Sequence, residues 1–259
     1  MIAAFLLALT FLLALGAITW IVSLIKRDAS IIDGVWSLLF VIAAVVYAFA
    51  LPAMGPRTSL VFTLLLAWAL RLSIYITWRN WGEPEDGRYQ AIRARNQPHY
   101  AIKSLFYVFS LQATLAWIAS TPLLGAIASP APLNLLDAIG AALAAAGIAY
   151  ETLADWQLAR FKADPTHRGQ VMDRGLWRHS RHPNYFGEFC VWWGFFLIAL
   201  AAGAWWSVVG PLLISFLLLK VSGVRLLEQN ISERRPAYRD YIARTNAFFP
   251  GARKQVTHG

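Results

Sequence analysis

The chain has 259 residues, of which 58% are hydrophobic and 14% charged, and a formal net charge of +9. Average soluble domains carry about 25% charged residues, so an ordinary soluble domain is excluded and membrane crossings set the length. A single cysteine, Cys190, excludes an internal disulfide and any need for an oxidising compartment.

A spanning helix needs about 20 mostly apolar residues. The first run, Ile2 to Ile25, has no basic stretch before it. It is also longer than the roughly 7–15 residues of a signal-peptide core, so it reads as a retained transmembrane helix. Further runs lie at about 34–53, 58–78, 104–128, 133–154, 184–203 and 205–224. They are too long for barrel strands, so the fold is all-α, a polytopic bundle of seven transmembrane helices. The chain forms one integral membrane domain, residues 1–259. The small residues of AIGAALAAAGIAY (138–150) suit close helix packing. Only Gly203-Ala204 separates the last two runs, which predicts a tight hairpin.

The cations fall unevenly on the connections. Of the 23 Lys and Arg, all but Arg57 lie on alternate connections that share one side or in the runs at their edge, as Arg71 and Lys220 do. The positive-inside rule makes that side cytoplasmic, with the N-terminus outside and the C-terminus inside. The charge of +9 is then topology, and no nucleic acid is implied. Long cytoplasmic stretches at about 79–103, 155–183 and from 225 onward are more than a passive bundle needs.

Polar residues crowd into RGLWRHSRHPNYFGE, 174–188. Pro183 suits the first turn of a helix, which leaves Arg178, His179, Arg181 and His182 on a loop. Asn184 and Glu188 share one helix face at i, i+4. A glutamate one turn inside a membrane helix is costly and usually functional. In ETLADWQLARFKAD (151–164), Asp155 lies near the membrane edge. The tail 223–250 has Leu226, Leu227, Ile231, Tyr238, Tyr241 and Ile242 on one side, as an interfacial helix would. Within the bilayer, Asp33 and Arg71 either pair with each other or line a cavity. Arginines converging from several loops form an anion cradle. The sequence has no Walker loop, GxGxxG, CxxC or HExxH, so no metal is expected.

RGLWRHSRHPNYFGE, its aromatic-rich helix and the GVRLLEQN...YRDYIARTNAFFP tail together resemble the steroid 5-alpha-reductase family. The likeness covers about residues 20–250 and is strongest to that family's bacterial branch of unknown function. It implies seven helices around a pocket open to the cytosol. It also implies NADPH as cofactor and reduction of a double bond conjugated to a carbonyl in a lipophilic substrate. By position, the resemblance assigns Arg71, Asp155, Arg174, Arg178, Arg181, His182, Asn184, Tyr185, Arg225 and Tyr238 to the cofactor. Glu188 matches the glutamate of the N-x-x-G-E segment near the nicotinamide. Asp33 lies where the steroid enzymes carry a Gln-Glu pair, and their third-helix tyrosine falls at Trp68, with Tyr75 one turn on as its substitute. Asp33, Tyr75 and Glu188 are therefore the expected catalytic residues. The alternative is an S-adenosylmethionine-dependent methyltransferase of the isoprenylcysteine or phospholipid type. Those enzymes share RHP-x-Y-x-G, and Glu228 would supply their glutamate. Membrane lipids are expected neighbours, and no protein partner is implied.

Overall fold

A computed structural model describes residues 1–52, 55–221 and 237–254. Among these residues every regular element is helical. In chain order they are α1 (Ile2–Lys26), α2 (Ile31–Ala50), α3 (Pro56–Asn80), α4 (Gly87–Arg95), α5 (Tyr100–Ala119), α6 (Thr121–Ile127), α7 (Leu135–Ala163), α8 (Pro183–Ala201), α9 (Trp205–Val221) and α10 (Ala237–Arg244). Six of them, α1, α2, α3, α5, α7 and α8, are long and apolar enough to cross a membrane. The seventh expected crossing, α9, is shorter within the described residues and ends in a π-helical turn at Leu217–Val221.

α1 shows why the chain suits lipid. It buries Ala4, Ala8, Leu12, Gly16, Thr19 and Ser23. It exposes Leu6, Phe11, Ile18 and Ile25. Large apolar groups face outward and small ones face the neighbouring helices, the arrangement expected where lipid replaces water.

The expected run 104–128 is two helices. Pro122 has no N–H and its ring crowds the preceding turn, so α5 stops at Ala119 and α6 restarts at Thr121. The Ser120 hydroxyl marks the break, 2.6 Å from the Tyr47 hydroxyl and donating to Trp117 O at 2.7 Å. α7 instead runs past the apolar limit to Ala163, because ETLADWQLARFKA is rich in helix formers.

The chain divides into two compact units, Met1–Ala138 with Phe195–Gly210, and Ile139–Gly194 with Pro211–Gly259. In the first unit α2 packs between α1 and α3, and α5 lies against α1 and α2. Indole and hydroxyl donors stitch these helices together: Trp117 Nε1 to Phe5 O at 2.7 Å, Trp20 Nε1 to Ala101 O at 2.8 Å and Ser37 Oγ to Ala69 O at 2.8 Å. At the start of α3, the enclosed Arg57 grips Asp137 through two bonds of 2.7 and 2.8 Å.

In the second unit α7 and α8 meet backbone to backbone. A Cβ on Gly187 would lie 2.7 Å from the Glu151 Cβ and 2.8 Å from Gly147 O. A Cβ on Gly194 would lie 2.7 Å from Gly140 O. The small-residue stretch expected to pack closely does so here, and this crossing sets the acidic face of α7 beside the start of α8.

Candidate functional site

α8 begins at Pro183, where a missing N–H costs nothing. One residue later, the Asn184 side-chain amide donates to Asp155 Oδ1 at 3.2 Å. Asp155 lies on α7, one turn beyond Glu151. Glu151, Asp155, His182 and Glu188 are all buried. The imidazole of His182 stacks on Tyr185, centroids 5.7 Å apart and nearly parallel. Sequence spacing put Asn184 and Glu188 on one face of α8, and the fold adds Asp155 as a partner of Asn184 from α7.

The loop before α8 is held on both sides. Trp177 Nε1 donates to Ala154 O on α7 at 3.0 Å. The tail grips the other side: Arg181 N to Asn246 O at 2.9 Å, Ser180 Oγ to Phe248 O at 2.7 Å and Gly251 N to His179 O at 3.0 Å. Tyr241 of α10 donates its hydroxyl to Trp177 O at 2.5 Å. Burial pushes that phenol well above its usual range, so it remains a donor at physiological pH. Arg181 Nη1 donates to Ile242 O at 3.2 Å and to Thr245 O. These carbonyls end α10 and lack helical partners. Arg181 thus serves a helix terminus. Tyr241, expected on an interfacial face, is 1% exposed and turned toward the loop. Tyr238 stands 5.2 Å from the Tyr241 ring.

Arg174 and Arg178 are exposed on the loop. Arg174 lines an open groove of about 520 Å³ with Trp156, Arg160 and His167. Arg225 and Glu228 lie outside the described residues.

A second polar cluster sits in the first unit. Asp33, in the first turn of α2, accepts from Arg88 Nη2 at 2.7 Å and from the Tyr89 hydroxyl at 2.6 Å. Gln112 donates to the same hydroxyl at 3.1 Å. Burial first, and then the Asp33 charge and its bond, push the Tyr89 hydroxyl well above its usual range. Both Asp33 oxygens therefore act as acceptors, and the donor held beside them is Tyr89. Asp33 takes Arg88 as its ionic partner, so the direct pairing with Arg71 is not the arrangement found. Tyr75 lies under Arg79, 5.8 Å from guanidinium carbon to ring centroid. Arg71 is half-buried on α3, and Trp68 is wholly enclosed. Sequence reasoning missed Arg88, Tyr89 and Gln112. Their spacing from Asp33 carries no local pattern, and only the DGRY turn that starts α4 hinted at order there.

A family model described as "Protein of unknown function (DUF1295)" matches residues 19–245. The chain belongs to the DUF1295 family. The matched DUF1295 region includes Asp33, Tyr89, Asp155, Asn184 and Glu188. It stops just before Asn246, Phe248 and Gly251, which hold the loop from the tail. An uncharacterized protein of Schizosaccharomyces pombe is 26% identical over 272 aligned residues, covering 91% of this chain and 76% of the yeast protein. No solved structure matches the chain.

Proposed function

We propose that this DUF1295 chain is an NADPH-dependent membrane reductase. It would act on a carbon–carbon double bond conjugated to a carbonyl in a lipophilic, steroid-like or other lipid substrate. The family's relation to steroid 5-alpha-reductase-like proteins supports this reading. The observation that carries it is the bond from Asn184 to Asp155, set among buried acids at the α7–α8 crossing.

The fit to the cofactor rests on donor chemistry. A nicotinamide carboxamide offers two N–H donors and one acceptor oxygen. Asn184 supplies both kinds of group, and Asp155 and Glu188 supply acceptors. The exposed Arg178 is the loop cation suited to a phosphate. Bound NADPH would supply the hydride. Asn184 and the acids would hold and orient the amide. The chain's place is a bacterial plasma membrane, N-terminus outside and C-terminus cytoplasmic.

The rival reading rests on RHPNYFG (181–187), which also fits the membrane methyltransferases. Their methyl donor carries no phosphate and only one carboxylate, so it calls for fewer loop cations than NADPH does.

The test is NADPH oxidation by purified protein against a panel of enone lipids and steroids. Asn184→Ala should weaken NADPH binding by about tenfold, the loss of roughly one charge-assisted hydrogen bond, with thermal stability nearly unchanged. A fully active Asn184→Ala, or one that fails to fold, would make the segment a structural cap.

A further inference from the structure

α7 carries two different chemistries on two faces at its end. Glu151 and Asp155 are buried. Leu153, 42% exposed, and Trp156, 53% exposed, look outward. At 100° per residue, Leu153, Trp156 and Arg160 lie on the side of α7 away from Asp155. The outward face is therefore not the one that meets Asn184.

On this face the loop after α7 folds back and builds a groove of about 520 Å³. Phe161, Met172 and Gly175 help to line it. The groove is ordered by specific bonds. Leu176 N donates to Gln157 Oε1 at 2.9 Å, and the Gly175 backbone fits against that same side chain. His167 stacks on Phe161 with centroids 4.3 Å apart and rings 8° from parallel.

Its charges are arranged for an anion. Arg160 lies over the Trp156 ring at 5.4 Å and is exposed. Arg174 Nη1 stands 3.5 Å from His167 Nε2. The acid lining the groove, Asp164, accepts from Thr166 N at 2.9 Å and Thr166 Oγ1 at 2.6 Å. One Asp164 oxygen is thus occupied within its own turn, while both arginines reach the opening.

The groove sits at the end of a helix long and apolar enough to span a membrane, and its rim carries a half-exposed tryptophan. Indole is favoured at the water–lipid boundary, and arginine pairs with phosphate. We propose that this groove binds the phosphate headgroup of an anionic phospholipid of the surrounding bilayer. Arg160 and Arg174 would meet the phosphate, and Trp156 and Phe161 would meet the glycerol and upper acyl carbons. The groove lies on the side of α7 away from Asp155 and Asn184, and it takes for the lipid Arg174, which the resemblance gave to the cofactor; Arg160 and Trp156 belong to the groove alone, so their variants test it apart from the reductase reading.

Native mass spectrometry of the purified full chain tests it. The protein is released from vesicles of equal phosphatidylglycerol and phosphatidylcholine, with and without added inorganic phosphate. Wild type should retain phosphatidylglycerol about fivefold over phosphatidylcholine, the scale of one arginine at an anionic surface. Arg160→Gln should abolish that preference, and Trp156→Ala should lower total lipid retained. Arg160→Lys keeps the charge but loses the stacking, and it should give an intermediate preference even if Arg160→Gln proves unstable. Equal retention of both lipids by wild type, or an unchanged preference in the variants, would overturn the proposal. So would displacement of the lipid by inorganic phosphate, which would mark a soluble phosphate as the ligand.

Discussion

Arg57 is wholly enclosed. Besides Asp137 it donates to Ser129 Oγ at 3.2 Å, to Ala131 O and Pro132 O at 3.0 Å each and to Ala201 O at 3.3 Å. Removing one partner of a buried ion pair leaves an uncompensated charge and costs about 3–5 kcal/mol. Arg57→Ala should therefore lower the melting temperature of the solubilised protein sharply. A melting curve that overlays wild type would show the clasp to be incidental. Tyr89 behaves differently, because its hydroxyl serves Asp33 and Gln112 at a partly exposed site. Tyr89→Phe should cost about 1–2 kcal/mol of stability. A melting curve that overlays wild type would show that these two bonds contribute nothing.

At the scale of elements, α4 is held by ionic clasps. Arg93 Nη2 meets Glu85 Oε1 at 2.7 Å, and the same carboxylate oxygen accepts from Ala29 N at 2.8 Å. Burial pushes the Glu85 carboxyl up, but Arg93 and the Ala29 N–H outweigh it and hold it below its usual range. A depressed folded pKa stabilises above the unfolded value and loses its contribution as pH falls through the folded one. Amide protection across residues 85–95, taken relative to the intrinsic exchange rate at each pH, should thus fall below about pH 4.5 and hold steady between pH 6 and 8. Glu85→Gln should show the reduced protection in both ranges. The α7–α8 crossing supplies a steric counterpart. Gly187→Ala places a methyl against the Glu151 backbone and should cost about 1–3 kcal/mol, read as a lower melting temperature. The long helices were legible because twenty apolar residues in a row have few other uses. The α5–α6 break was written in Pro122 but masked by the apolar run around it. α4 was not legible: it is nine residues long and mostly polar, and its place comes from Glu85, Asp86 and Asp33 rather than from its own pattern.

For the whole molecule, the charge asymmetry predicts orientation. Alkaline phosphatase fused after Gly259 should be inactive, and strong activity would reverse the topology. Arg57, the single cation on the other side, is enclosed with Asp137 and so does not oppose the rule. The second-unit site was half legible. Asn184 and Glu188 announced themselves on one helix face, whereas the Asn184–Asp155 bond joins residues far apart in sequence. Tyr89 and Asp33 likewise meet only through folding. Arg181, assigned to the cofactor by the resemblance, bonds through Nη1 to the end of α10, a partner that no local pattern announces. The most direct test of the account is binding of NADPH and of S-adenosylmethionine to the purified full chain, followed by tryptophan fluorescence at low and high salt. The account predicts saturable NADPH binding that weakens with salt and falls in Asn184→Ala, with none for S-adenosylmethionine. Saturable S-adenosylmethionine binding with no response to NADPH would contradict it.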